Sequence, residues 1–279
     1  MTPNKMGPLT KVWKVLKPER NSLMFAVSAI VLAIVAAVRG MWSPCGLSML
    51  STMTPMAERL RGHRFGVTAS WFAIGAMLGG ATLGLLSGLG AALIHLAHLS
   101  SSVTATLAIC VAMVCLLSDC ELGAVQLPPI RRQVNERWVE RYRPSVYAGG
   151  FGWQLGAGLT TYVMTASNYL LVALGALSGS PRFAMGICIL FGTIRGAVIF
   201  VNAKVTTTER LFAMHRFLEA NAERSKVVCL GAEALVITAG ATVLFGAVGV
   251  IAGVAAFALA LLLRRRRSSS PAPQDLVSS

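Results

Sequence analysis

A polytopic all-α membrane bundle is the fold class the sequence predicts, on three observations. Hydrophobic residues make up 55% of the 279 residues and charged ones only 13%, with a mean hydropathy of +0.66, a balance foreign to water-soluble domains. The apolar residues fall into six runs, at 23–56, 67–96, 103–117, 147–177, 183–201 and 227–263. Each is long enough, or nearly so, to cross a hydrocarbon core of about 30 Å as helix, and none alternates in the manner of a barrel strand.

The net charge of +14 does not point to nucleic acid, because the basic residues sit in short segments beside the runs, where they act as topology signals. They cluster in the N-terminal segment (Lys5, Lys11, Lys14, Lys17, Arg20), then at 59–64, 131–143, 204–226 and 264–267, while the connections near Ser100 and Gly179 hold only Arg182. The positive-inside rule places the five basic regions in the cytoplasm and the two neutral connections outside. A lipid bilayer is the expected surrounding. Residues 1–22 are expected as a basic cytoplasmic tail, 23–263 as a single transmembrane bundle, and 264–279, with Ser268-Ser269-Ser270-Pro271-Ala272-Pro273, as a disordered tail. The basic start resembles a signal peptide, but the apolar run continues without a polar mature segment, so an uncleaved anchor is expected.

The first run carries the chief functional clue. Ser43-Pro44-Cys45-Gly46 lies within it, and proline lacks an N–H and crowds the carbonyl four residues back, so the helix should break between Arg39 and Pro44. If a half-helix restarts there, Ser43 caps it, Pro44 takes its first position and Cys45 falls in the first turn, whose free N–H groups favour a thiolate. Burial in hydrocarbon opposes ionisation, and cysteine is also a small apolar filler. Run 23–56 reads either as a hairpin or as one long broken helix. The last run, 227–263, would be roughly 55 Å as one helix, too long for a single span, and Gly246 and Gly249 offer a turn.

Two connections carry helices of their own. Pro128-Pro129 starts one with Ile130, Val134, Trp138 and Tyr142 on a drifting face, and Thr206-Thr207-Thr208-Glu209 has capping-box spacing before an apolar stripe of Leu211, Met214, Leu218 and Ala222. Both are read as lying on the membrane. Within the spans, Gly75/Gly79, Gly80/Gly84, Gly84/Gly88, Gly152/Gly156 and Gly192/Gly196 have the small-xxx-small spacing of close helix packing.

Ionisable residues in lipid are costly and tend to be paired. By depth, Arg195 and Glu233 fall level and are read as a pair, either structural or functional, whereas Asp119 and Glu121 sit at a span end, where solvation suffices. Cys110, Cys115 and Cys120 step by five residues and share no face, and Cys188 and Cys229 are isolated, so all five are read as apolar filler. His95 and His98 lack ligand partners at metal spacing, so no metal and no cofactor is expected. An echo links Gly46-Leu47-Ser48 and Ser51-Thr52-Met53-Thr54 to Gly158-Leu159-Thr160 and Met164-Thr165. With three spans between the copies the second is inverted, an arrangement that builds a site at mid-membrane. The position matching Cys45 is Ala157.

Ser43-Pro44-Cys45-Gly46-Leu47 resembles the first-span motif of the CcdA and DsbD transmembrane thiol carriers. The resemblance runs over about residues 29–247. It implies six core transmembrane helices as two inverted three-helix repeats, about 29–123 and 147–247, plus one or two flanking helices. It also implies a redox role for Cys45, with a thioredoxin-like partner. The second cysteine of that family is missing, since none lies between Cys120 and Cys188. The longer strings Trp42-Ser43-Pro44-Cys45-Gly46-Leu47-Ser48-Met49-Leu50-Ser51-Thr52, Arg131-Arg132-Gln133-Val134-Asn135-Glu136-Arg137-Trp138 and Gly150-Phe151-Gly152-Trp153-Gln154 look most like the MauF methylamine-utilisation branch. That likeness implies a membrane factor for maturing a disulfide-rich, quinone-bearing extracytoplasmic dehydrogenase. Two function classes follow: a thiol-redox or maturation factor using Cys45, set in the break formed by Ser43, Pro44 and Gly46, or a secondary transporter whose path is lined by Ser48, Thr52, Gln154, Thr160 and Asn168.

Overall fold

The computed structural model describes residues 8–120, 138–160 and 164–268. The expected helix from Pro128 lies outside the described residues except for the short α6 (Trp138–Arg141), as do Glu121 and the end of the C-terminal tail. Five helices among the described residues are long and apolar enough to cross a membrane, Asn21–Trp42, Phe65–Leu96, Ser101–Asp119, Pro181–Lys204 and Thr208–Phe245, and two shorter apolar helices accompany them. The protein is a multi-pass helical membrane bundle.

Its centre is α4 (Phe65–Leu96), clasped between α7 (Pro144–Gly156) and α9 (Pro181–Ala197). The small-xxx-small pairs bring these backbones together: a Cβ on Gly75 would lie 2.1 Å from the Gly149 carbonyl oxygen, and one on Gly156 would lie 2.0 Å from that of Ala76. On the other flank, Gly80 meets the Cα of Gly192. The opposite face of α4 presents Leu78, Leu85, Leu89 and Leu93 outward. Glycine inside and leucine outside is the reverse of a soluble helix and suits a lipid surround, where close backbone contact drives association.

The first run is a broken helix. Helix α1 (Pro8–Arg39) is followed by a 3-10 turn at Gly40–Trp42, then α2 (Pro44–Thr52) and α3 (Pro55–Leu60). Phe25 stacks on Phe183 at the start of α9, with ring centroids 6.4 Å apart, while Arg39 at the far end bonds the Ala222 carbonyl and Ser225. So α1 crosses once. Its start lies at the end of the bundle that holds the two neutral connections, not beside the other basic segments, because a single broken crossing replaces the hairpin that a shared side for both ends would need.

The last run does fold back. α10 (Thr208–Phe245) ends at Gly246, which takes φ +65, and α11 (Val248–Ser268) returns along it. Gly249 belongs to the packing rather than the turn: a Cβ there would sit 2.3 Å from the Ala241 carbonyl carbon. α10 also absorbs the amphipathic segment read as lying on the membrane. Its cap is Thr207, which accepts from the Arg210 amide at 3.4 Å, one residue later than the capping-box reading. The helix then runs unbroken into the span, and Leu218 is buried against the first break, its carbonyl accepting from the Trp42 indole at 2.7 Å.

A second interruption falls within run 147–177, which divides into α7 and α8 (Ser167–Leu177). Gly158 turns the chain with φ +65, and the Asn168 amide donates to its carbonyl at 3.1 Å. α5 (Ser101–Asp119) and α10 pack against this side of the bundle.

Candidate functional site: two interrupted helices and a buried carboxylate–thiol cluster

At the first interruption, proline chemistry dictates the geometry. Ser43 sits in extended conformation, its hydroxyl accepting from the Gly46 amide at 3.0 Å and donating to the Gly40 carbonyl at 2.7 Å. Pro44 occupies the first helical position, where no N–H is needed. Gly46 permits the tight return, because a Cβ there would fall 2.4 Å from the Gly40 oxygen. Cys45 therefore lies in the first turn of α2, with only 1% of its surface exposed.

Arg195 of α9 fills the space above Gly40, so closely that a Cβ on Gly40 would meet the guanidinium, and it donates to the Ala37 carbonyl at 3.4 Å. It also lies within electrostatic reach of Cys45. The far end of α2 is closed by Asn202, whose amide donates to the Leu50 and Met53 carbonyls at 3.0 and 2.9 Å. Replacing Asn202 with leucine leaves both carbonyls unmet and should cost about 1–3 kcal/mol, read as a lower Tm in detergent.

The second interruption gathers groups from three distant segments. Asp119, at the end of α5, accepts from the Ala166 amide at 2.7 Å and from the Thr165 hydroxyl. Ser167 donates to Glu233 at 2.6 Å, and the Cys229 sulfur lies 3.0 Å from the Ser167 hydroxyl and 3.2 Å from that of Thr165. One donor atom from each of Asp119, Cys229 and Glu233 falls within 4.8 Å of the others. Glu233 is fully buried, and its Oε2 meets no N–H or O–H donor from the surrounding helices.

Two cavities lie between the interruptions. One of about 380 Å³ is bounded by Arg39, Trp42, Leu47, Met164, His215 and Lys226, among others. A second of about 140 Å³ shares Arg39, Met164 and Lys226 with it and reaches Asp119, Thr165 and Cys229. Cys45 touches neither, although its near neighbours Trp42 and Leu47 form the wall of the larger.

Several expectations are redrawn by this arrangement. Arg195 and Glu233 do not pair: Arg195 turns to the first break, where it donates to the Ala37 carbonyl, and Glu233 to the second, where it accepts from Ser167. Asp119, at the end of α5 and on the wall of the smaller cavity, is held by protein donors as well as open to that space, and Cys229 is not apolar filler, since both join one polar cluster. Ser48, Thr52, Gln154, Thr160 and Asn168 line neither cavity. Thr52 instead bonds the Ser48 carbonyl and Thr160 that of Gln154, each closing a local turn. Sequence reasoning missed a further network: the buried carboxylate of Glu58 accepts from Tyr147, Thr68 and Arg61 at 2.6–2.9 Å.

Interrupted spans around a polar cluster, reached by a cavity, mark an integral-membrane helix bundle with a candidate site between its helices. Comparison with known proteins gives that class a relative. The chain is similar to the methylamine utilization protein MauF of Paracoccus versutus, 27% identical over 207 residues covering 71% of this chain and 73% of that one. It is 31% identical to MauF of Methylophilus methylotrophus over 185 residues, 62% of this chain and 61% of the relative. With MauF of Methylobacillus flagellatus it shares 31% identity over 195 residues, 65% and 66% of the two. The chain is thus homologous to MauF proteins over much of its length, although it spans less than two thirds of some of them. No family model matches it, and no solved structure does.

Proposed function

We propose that this chain is a maturation factor of a bacterial inner membrane, serving disulfide or cofactor biogenesis of an extracytoplasmic client of the methylamine dehydrogenase type, with Cys45 as its working thiol. The observation that carries the reading is the placement of Cys45 in the first turn of a capped half-helix, beside Arg195 and behind the wall of a cavity. The homology to MauF supplies the biological setting.

In the proposed cycle the Cys45 thiolate attacks a client disulfide, forming a mixed disulfide while the second client sulfur leaves as thiolate. A thioredoxin-like dithiol then attacks the Cys45 sulfur and frees the first client sulfur. The partner's second thiol displaces Cys45, so the partner ends as a disulfide and the client as a dithiol. One cysteine in this chain suffices, because the partner provides both electrons.

We read the two interruptions, around Arg39–Pro44 and Ala157–Ala166, as equivalent points of two inverted repeats, as in the CcdA and DsbD carriers. The directions support this: α1 runs with α9 (Phe25 near Phe183), α4 runs with α7 (Gly75 near Gly149, Gly79 near Gly156) and against α9 (Gly88 near Pro181), and α5 runs against α10 (Asp119 near Glu233, Ile109 near Gly240). The basic connections at 59–64, 131–143 and 204–226 then face the cytoplasm.

A Cys45→Ser protein should lose client maturation completely, and thiol trapping of the unmodified protein should yield a disulfide-linked adduct that the variant lacks. Maturation that persists in Cys45→Ser with no adduct would favour a second reading, passage of a small solute between the repeats. The cavity beside Arg39, Lys226 and Asp119 favours that alternative.

A further inference from the structure

We infer that Asp119, Cys229 and Glu233 form a binding site for a divalent transition-metal cation of the zinc class, with a coordination position open to the cavity. The donor atoms come from the end of α5 and from successive turns of α10, and they converge within 4.8 Å. Two carboxylates and a sulfur offer only acceptor lone pairs when ionised, and such groups do not face one another in a membrane interior without a cation or a proton between them. Glu233 Oε2 is buried with no N–H or O–H donor from the surrounding helices, and the group it faces is the Asp119 carboxyl. The other valences are spoken for: Ser167 holds Glu233 Oε1, and the Ala166 amide holds Asp119 Oδ1. These second bonds orient the carboxylates in the way that outer partners orient metal ligands.

The donor set selects the metal. Calcium and magnesium take oxygen alone, and copper(I) prefers several sulfurs, whereas one thiolate with two carboxylates suits zinc and its congeners. Tetrahedral zinc holds its ligand atoms about 3.3–3.8 Å apart, so donors now within 4.8 Å of one another need to close by about 1.5 Å at most. Three anionic donors around a dication leave one negative charge, and Lys226 and Arg39 stand on the same cavity wall to offset it. That cavity, about 140 Å³, has room for water or a client's donor atom as the remaining ligand.

The test uses the whole chain purified in detergent, stripped with chelator and titrated with Co²⁺. The expected result is saturation at one metal per chain, with a thiolate-to-cobalt charge-transfer band and d–d bands of tetrahedral intensity, all displaced by Zn²⁺. Cys229→Ser should abolish the charge-transfer band, and Glu233→Gln should weaken binding at least about tenfold, with unchanged size-exclusion profiles as the folding control. Cys45→Ser should bind cobalt normally, so failure of the thiol cycle leaves this site standing. Wild-type protein that binds no more Co²⁺ or Zn²⁺ than Glu233→Gln would overturn the inference, as expected if the carboxyls share only a proton. A charge-transfer band that survives Cys229→Ser would overturn it as well, by moving the thiolate elsewhere.

Discussion

Gly192→Val should yield little folded protein, and what folds should be destabilised by about 3 kcal/mol or more. Even the first added carbon would lie 2.4 Å from the Ala76 carbonyl oxygen and 2.8 Å from the Gly80 Cα. Both neighbours are backbone inside α4, so neither can swing aside as a side chain would. Relief requires α9 to move away from α4, which also loosens α7 on the opposite flank. Gly186→Val is the control: a Cβ at Gly186, on the same helix, meets nothing within 4 Å, and that variant should retain nearly full stability. Yield from the membrane and Tm in detergent separate the two. Equal behaviour would show that the α4–α9 contact does not limit stability.

Removing the Glu58 carboxylate should be comparably damaging. It is fully buried and accepts one hydrogen bond from Tyr147, whose hydroxyl lies 2.8 and 2.9 Å from its two oxygens, one from Thr68 at 2.6 Å and one from Arg61 at 2.9 Å. Those donors come from α7, α4 and the end of α3, so one carboxylate ties three segments together. Glu58→Ala strands two buried hydroxyls and a cation and should cost about 3–5 kcal/mol. Glu58→Gln keeps an acceptor oxygen and should cost less. A double-mutant cycle with Tyr147→Phe should show clear coupling, because the second change removes a donor already orphaned. Independent effects in that cycle would refute the network.

Features governed by neighbouring residues were legible in the chain. The Ser43 cap and Pro44 restart follow from local backbone chemistry, and the turn at Gly246 follows from a run too long for one crossing. The glycine pairs on α4 could be read because four-residue spacing is the geometry of helix contact. The carboxylate–thiol cluster could not, since Asp119 and Glu233 are brought together only by packing of α5 on α10. The one visible sign was local: Cys229 and Glu233 are four apart and share a helix face. The interruption before Ser167 was hidden for a different reason. No proline marks it, and Gly158 alone is common in membrane helices. Glu58 looked like one more charge in a basic segment, because burial depends on Tyr147 and Thr68 arriving from elsewhere. For Arg195 and Glu233, equal depth was right to consider but azimuth decides partnership, and the sequence carries no azimuth between helices.

The glycine seam along α4 has a mechanical consequence. Backbones pressed together without intervening side chains have no rotamers to trade, so α4, α7 and α9 behave as a stiff spine. Compliance is left to α1 with α2, and to the upper length of α10, which meet across side chains and water-sized space. Any motion that uncovers the Cys45 sulfur must therefore be a swing of those peripheral pieces against a stationary frame. Amide exchange should divide the molecule along that same line.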